Sequence, residues 1–403
     1  MPRQKRRETI MAPASAASDP NMRIDHSPVV ARYLEAIAAV APLVAELRQQ
    51  FDRDRRLPPA MFAALASAGL FRLWLPKALG GPELSPLEFM AVVEQVATVD
   101  GSLGWIVGNG AGMSRIGGYV PEPTARRWFS DPGAFIASAT GAVGEALPSD
   151  GGYRVSGRWP FGSGAHGATL FMGLAADKTD GESRLLCCYM DREAVELEDT
   201  WHVSGLRGTG SCHFQARDVF VPAAHTHSFL EPSPSQPGLM YRLPPATLFP
   251  WTVAAVPLGI ARGAMETFVT LAETRSRSGS SSLLRDRETV QASVGRAETL
   301  YRSARAFLAD AMTDLMEGAE HGEPTTSARA AYRAACANAA ESASRIVQLL
   351  AADAGAISIF ESCPLERALR DIQAASQHVA MSPNNYVIAG RIRLGLDPGT
   401  ARL

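Results

Sequence analysis

The run GYRVSGRWPF, Gly152 to Phe161, decides how this chain is read. It is short, rich in aromatic and β-branched residues and bounded by glycines, which is the composition of a strand. AFIASATG, ATLFMGLAA, SRLLCCYMDR and HFQARDVFVP have the same character and are separated by Gly, Asp and Ser. Together these runs predict a small antiparallel β domain over 134–229.

Outward from this segment the hydrophobic period becomes helical. Over 27–133, VARYLEAIAAVAPLVAELRQQF, LPPAMFAALASAGLF and SPLEFMAVVEQVATVD carry apolar residues three and four apart, and Glu88 follows Ser85 at capping-box spacing. From 246 to 403 the period returns in long segments with short connections, which predicts a C-terminal four-helix bundle. The Pro-rich LEPSPSQPGLMYRLPP, 230–245, is expected to be a linker or lid, and residues 1–26 a disordered leader. The fold class is α+β, mostly α, in the order helices, sheet, helices.

With 403 residues, 46% hydrophobic and a formal net charge of -2, the chain can bury a large core but has no global field to hold nucleic acid or an anionic membrane surface. No run of 18 apolar residues predicts a membrane span, and the basic start lacks a secretory apolar segment. The five cysteines, Cys187, Cys188, Cys212, Cys336 and Cys363, are odd in number and without CxxC spacing, so a cytoplasmic protein with neither disulfide framework nor zinc is expected. His225 and His227 read as surface polar residues, because no third metal ligand accompanies them.

Four stretches can carry chemistry: GSLGWIVGN (101–109), GRWPFGSG (157–164), WHVSGLRGTGS (201–211) and ESCPLERALRDIQAASQH (361–378). Singly, each has an ordinary reading: Trp105 and Trp159 as core aromatics, Ser163 as a turn residue, GLRGTGS as a connection between strands. Yet Gly-Ser-Gly and Gly-Thr-Gly-Ser turns let backbone and hydroxyl groups approach a planar ligand where a Cβ would block it. Arg275, with Arg277 nearby, could pair with a phosphate. His378 follows Asp371 by seven residues, close to two turns on one helical face, and an imidazole of pKa ~6.5 suits proton transfer.

These motifs in this order, with LPKALGGPELSPLEF, VDGSLGW and DVFVP, resemble the acyl-CoA dehydrogenase fold over about residues 28–398. That fold has an N-terminal helical domain, a middle β-barrel and a C-terminal four-helix bundle around a flavin. Within it the chain looks most like the two-component flavin-dependent monooxygenases. The resemblance implies an oxygenase that receives FMNH2 or FADH2 from a separate NAD(P)H:flavin reductase, forms a flavin C4a-hydroperoxide with O2, and oxygenates a small aromatic or heteroaromatic substrate without a metal. It further implies a homotetramer with flavin sites at subunit borders. By position it makes Ser163 the partner of flavin N5 and sets Trp201, Thr209 and Ser211 around the ring and ribityl chain. Trp105 and Asn109 fall on the oxygen side, Arg275 on the flavin phosphate, and His378 becomes the catalytic acid/base.

The dehydrogenases of this fold use a glutamate where this chain has Ser362. The alternative position for that acid falls near Phe249, and Glu361 is one residue out of phase, about 100° around a helix. The dehydrogenase base is therefore expected to be missing. Two other readings stay open: an acyl-CoA dehydrogenase or nitroalkane-type oxidase in which Glu361 acts, and a non-catalytic assembly or binding subunit.

Overall fold

The structure, a computed structural model, describes residues 27–177, 184–231, 233–276, 279 and 281–400, so the leader expected over 1–26 and Arg277 lie outside the described residues. Five helices open it: α1 (Pro28–Asp54), α2 (Pro59–Ser67), α3 (Pro86–Val99), α4 (Gly101–Met113) and α5 (Glu122–Phe129). Ser85 starts α3 with the capping box, accepting the Glu88 N–H at 3.3 Å while the Glu88 carboxylate accepts the Ser85 N–H at 3.0 Å. Asp100 ends α3 and caps α4, taking the N–H groups of Ser102 and Leu103 at 2.9 and 3.2 Å. Helix α4 is buried along nearly its whole length. Its glycines let neighbours come close: a Cβ on Gly110 would run into the Phe135 ring.

The middle of the chain forms one seven-stranded sheet from β1 (Ile136–Ser149), β2 (Gly152–Gly162), β3 (Leu170–Asp177), β4 (Arg184–Asp191), β5 (Glu196–Glu198), β6 (Cys212–Pro222) and β7 (Thr226–Ser228), in the spatial order β5-β6-β2-β1-β3-β4-β7. The sheet is mixed, which corrects the expectation of a purely antiparallel domain: β1 and β3 pair in parallel, Ile136 opposite Leu170. The reason lies in the connection. Strand β2 turns back along one edge of β1, and residues 163–169 then carry the chain across the end of β1 to its other edge. No pairing among the described residues joins the outer strands β5 and β7, so the sheet is open there. Register shifts interrupt β1 between Ala139 and Val143 and β2 between Trp159 and Gly162. Such bulges bend a strand and re-aim its side chains.

After the sheet, Met240, Tyr241 and Leu243 of the Pro-rich segment are buried, and Ser235 donates its N–H to Gly118 O at 2.7 Å and its hydroxyl to Val120 O at 3.2 Å. Two single turns, α6 (Pro245–Leu248) and α7 (Trp251–Ala254), lead to the long helices α8 (Val256–Thr274), α9 (Glu288–Glu320) and α10 (Thr326–Ala354), followed by α11 (Pro364–Ala375) and α12 (Asn384–Arg393). Helix α1 and the run 245–274 are long and apolar enough to cross a membrane by length and composition, yet 78% of the latter's apolar window is buried within the molecule. All five cysteines are free and buried.

Candidate active site

A cavity of about 490 Å³ opens where α4, the two strand bulges, the 201–211 loop and the end of α11 meet. Its volume falls within the usual range for small-molecule sites. Trp105 and Asn109 enter from α4, Ser138 to Gly141 from the β1 irregularity, and Pro160, Phe161 and Ser163 from the end of β2. Trp201, Leu206, Thr209 and Ser211 come from the loop, and Phe249, Gln377 and His378 from the helical half. Of the residues the resemblance assigns to flavin binding or catalysis, all but Arg275 line this space. Arg275 is the exposed residue that ends α8 and is not in the lining.

The hydroxyl groups form a chain whose direction follows from its ends. Thr209 Oγ1 lies 2.8 Å from Leu206 O, a carbonyl that can only accept, so the Thr209 proton points there. Ser211 must then donate to Thr209 at 2.7 Å, and Ser163 to Ser211 at 2.8 Å. At the far end, the Trp105 indole N–H donates to Ser163 Oγ at 3.1 Å. Ser163 has thus spent its proton and one lone pair, and what it can still offer a ligand is an acceptor. Gly164 makes the turn possible, with φ +76°, and its N–H on Thr209 O at 2.8 Å fastens it to the 201–211 loop.

His378 is placed differently from the helical expectation. Helix α11 stops at Ala375, and His378 follows in extended backbone, capping the short turn Val379–Met381. Asp371 and His378 therefore do not share a helical face. Nδ1 of His378 accepts the Ala380 N–H at 3.2 Å, so the neutral ring carries its proton on Nε2. Its ring stands edge-on to Trp105 at 5.4 Å and 6.3 Å from Phe249, and burial pushes its pKa down to about 4, well below the value near 6.5 expected from the sequence. Among the described residues it is the only ionisable side chain in the cavity lining.

The Arg370-Asp371 pair works one layer out. Asp371 Oδ1 accepts the Leu206 N–H at 2.6 Å and Arg370 Nη1 donates to Ser204 O at 2.9 Å, so α11 grips the loop that carries Trp201, Thr209 and Ser211. A Cβ at Gly205 would collide with the Arg370 carbonyl, which is why the loop can approach so closely. Behind it, Arg367 pairs with Asp52 at 2.8 Å and Asp100 at 3.0 Å. Burial and the nearby Asp100 hold Asp371 above the usual carboxylate range, against the pull of Arg367.

Glu361 and Ser362 are exposed and outside the cavity, while Phe249 does line it, so an aromatic ring occupies the alternative place for the dehydrogenase acid. Sequence reasoning passed over Ser138, Thr140 and Phe161. Phe161 has φ +66° in the β2 bulge, which nothing in its residue type announces. His225 and His227 are buried rather than on the surface: His225 Nε2 lies 2.9 Å from Arg127 Nη2, and His227 is bonded to Tyr189 and Ser228. None of the described residues of the Pro-rich segment 230–245 enters the cavity lining.

A planar, polar ligand fits these residues. Ser138 Oγ is buried without a hydrogen-bond partner at the cavity wall, Ser163 keeps an unused lone pair, and Trp105, Phe161 and Trp201 supply aromatic surface. Residues 34–130 match the family described as acyl-CoA dehydrogenase, N-terminal domain, and residues 251–383 that described as acyl-CoA dehydrogenase, C-terminal domain. The chain is 30% identical to a pigment production hydroxylase of Rhodococcus erythropolis over 91% of this chain and 97% of the relative. It is 29% identical to an indole-3-acetate monooxygenase of Pseudomonas putida over 87% of this chain and 90% of that protein. The fold aligns with XiaF from Streptomyces sp., solved in complex with FADH2 and glycerol, at a TM-score of 0.87 and 28% identity, covering 95% of this chain and 100% of that one. With the layered order of helices and sheet, the serine-lined cavity and its histidine all in place, the chain belongs to the flavin-dependent monooxygenases of the acyl-CoA dehydrogenase fold.

Proposed function

We propose that this protein is the oxygenase component that binds reduced flavin in the 490 Å³ cavity and oxygenates a small, electron-rich aromatic such as a phenol or an indole beside His378. The observation that carries this reading is the lining itself: among the described residues, one neutral imidazole, a directed hydroxyl chain and no carboxylate. Bound reduced flavin supplies the two electrons that activate O2. Reduced flavin presents N5–H where the oxidised ring presents a lone pair, and Ser163, left as an acceptor, suits the former. Ser138, Trp201, Thr209 and Ser211 would hold the ring, while Trp105 and Asn109 wall the side where oxygen reacts.

His378 acts, in this reading, through Nε2–H. With Nδ1 committed to the Ala380 N–H, the ring donates to a substrate oxygen and stabilises its anionic form, which makes the adjacent carbon more nucleophilic. A second proton could only go to Nδ1, where it would displace the Ala380 N–H, and burial disfavours the charged ring, so His378 acts here as a hydrogen-bond donor.

The reading includes a separate reductase as the source of reduced flavin, in line with the division of labour in oxygenase subunits of this family. It also includes a homotetramer, in which the exposed Arg275 would serve a flavin phosphate across a subunit border, and a cytoplasmic site of action. The test is to supply FADH2 or FMNH2 with a generic reductase, add a panel of phenols and indoles under 18O2, and analyse products by mass spectrometry. Incorporation of one labelled atom supports the proposal. Absence of label in every product, together with bleaching of bound oxidised flavin by an acyl-CoA, would replace it with a dehydrogenase.

A further inference from the structure

Arg115 is a buried charge without a counter-charge. It lies on the turn Ser114–Gly118 after α4, only 6% exposed. Its guanidinium carbon lies over a Trp74 ring, 5.7 Å from the centre, and over that of Tyr119 at 5.5 Å, so two aromatic faces lie against the cation. Aromatic faces do not replace hydrogen-bond acceptors for its N–H groups. Nε and Nη1 are buried with no acceptor, and among the described residues no carboxylate forms an ion pair with it. An uncompensated charge is destabilising in a protein interior, so packing alone gives no reason for an arginine here.

Arg115 borders a cavity of about 20 Å³ that Tyr119, Tyr189, His227 and Phe249 also line. Its other polar groups are already committed. His227 Nδ1 donates to Ser228 O at 2.7 Å and its Nε2 accepts the Tyr189 hydroxyl at 2.8 Å, while the Tyr119 hydroxyl donates to Leu243 O at 3.2 Å. The unmet demand in this space is therefore for an anionic acceptor.

Phe249 is the partition between this space and the active-site cavity. It lines the small cavity, the 490 Å³ cavity and a neighbouring one of about 170 Å³. A ligand ring resting beside His378 is thus separated from a buried cation by one side chain. A space of 20 Å³ holds about one water, so a carboxylate enters only if Phe249 turns.

We infer that Arg115 recognises a carboxylate on the substrate: the enzyme takes an aromatic acid, with the ring in the cavity beside His378 and the acid group received by Arg115 Nε and Nη1 once Phe249 swings aside. This rests on the assignment of the large cavity to flavin and an aromatic substrate.

The experiment compares equilibrium binding of indole-3-acetate and its uncharged isostere indole-3-acetamide to the full-length protein with reduced flavin under anaerobic conditions, for wild type, Arg115→Gln and Arg115→Lys. The expected result is at least a tenfold preference for the acid in wild type, reduced to twofold or less in Arg115→Gln, with amide affinity retained. Arg115→Gln should also melt no lower than wild type without ligand and lose the acid-induced rise in melting temperature, a pattern that a structural arginine would reverse. Equal binding of acid and amide by wild type overturns the inference, and this comparison does not depend on any variant folding. Stabilisation of wild type by chloride without acid preference would assign the site to a small inorganic anion and overturn it as well. If neither indole binds and reduced flavin does not bind, the broader functional reading fails instead.

Discussion

The backbone N–H of Leu206 donates to Oδ1 of Asp371 at 2.6 Å, joining the 201–211 loop to α11 across 165 positions of sequence. This bond fixes Trp201, Thr209 and Ser211 relative to His378, since all four depend on how α11 and the loop meet. Asp371→Ala leaves the buried Leu206 N–H without its acceptor and removes a carboxylate 3.6 Å from the Arg367 guanidinium, and is expected to destabilise by about 3 kcal/mol. Asp371→Asn keeps an acceptor for Leu206 and should lose roughly half as much. Thermal unfolding together with anaerobic flavin titration reads both effects. Equal losses in the two variants would show that the Leu206 bond is not what matters.

Ser163 sits between a donor it must receive and one it must supply. Ser163→Ala orphans the Trp105 indole N–H and removes the donor to Ser211. Reduced-flavin affinity is expected to fall about tenfold, equivalent to ~1.4 kcal/mol. More of the O2 consumed should also appear as hydrogen peroxide in place of product. Unchanged affinity and an unchanged ratio of peroxide to product would remove Ser163 from the flavin site.

His378→Ala should lower kcat by about 10²-fold while reduced-flavin binding stays within twofold. Because burial depresses the imidazole to about 4, the acid limb of kcat/KM for the free enzyme is expected below pH 6. A limb centred near 6.5 in a profile from pH 5 to 8 would contradict a neutral, partly desolvated ring.

The same depression carries a stability signature. His378 and His227 both fall to about 4 through burial, whereas an unfolded chain protonates its histidines near ~6.5. Between those values the unfolded state binds more protons, so their contribution is complete above about pH 6.5 and is lost as pH falls toward 4. His227 is worth up to ~3 kcal/mol in this way, and the part-exposed His378 less. Melting temperature measured from pH 7.5 to 4.5 should decline through this window, and His227→Gln should flatten the decline. A flat wild-type profile would refute the assignment.

Much of the protein was legible in the order of its residues because local rules bind residues close in sequence. The capping box at Ser85 and Glu88, the glycine-bounded strands and the Gly-Ser-Gly turn all act within a few positions of themselves, and their order pointed to the family. That Ser362 and Phe249 are not carboxylates was legible for the same reason, since residue identity is read directly from the sequence. What only the tertiary structure decided depends on partners far apart in the chain. The parallel pairing of β1 with β3 arises from a crossover, which residue composition does not encode. The neutral state of His378 and its Nε2 proton come from burial and from the Ala380 N–H, and the direction of the hydroxyl chain from a carbonyl at Leu206. Arg115 shows the same division most plainly, since any sequence can contain an arginine, and only packing against Trp74 and Tyr119 leaves one buried with its N–H groups unanswered.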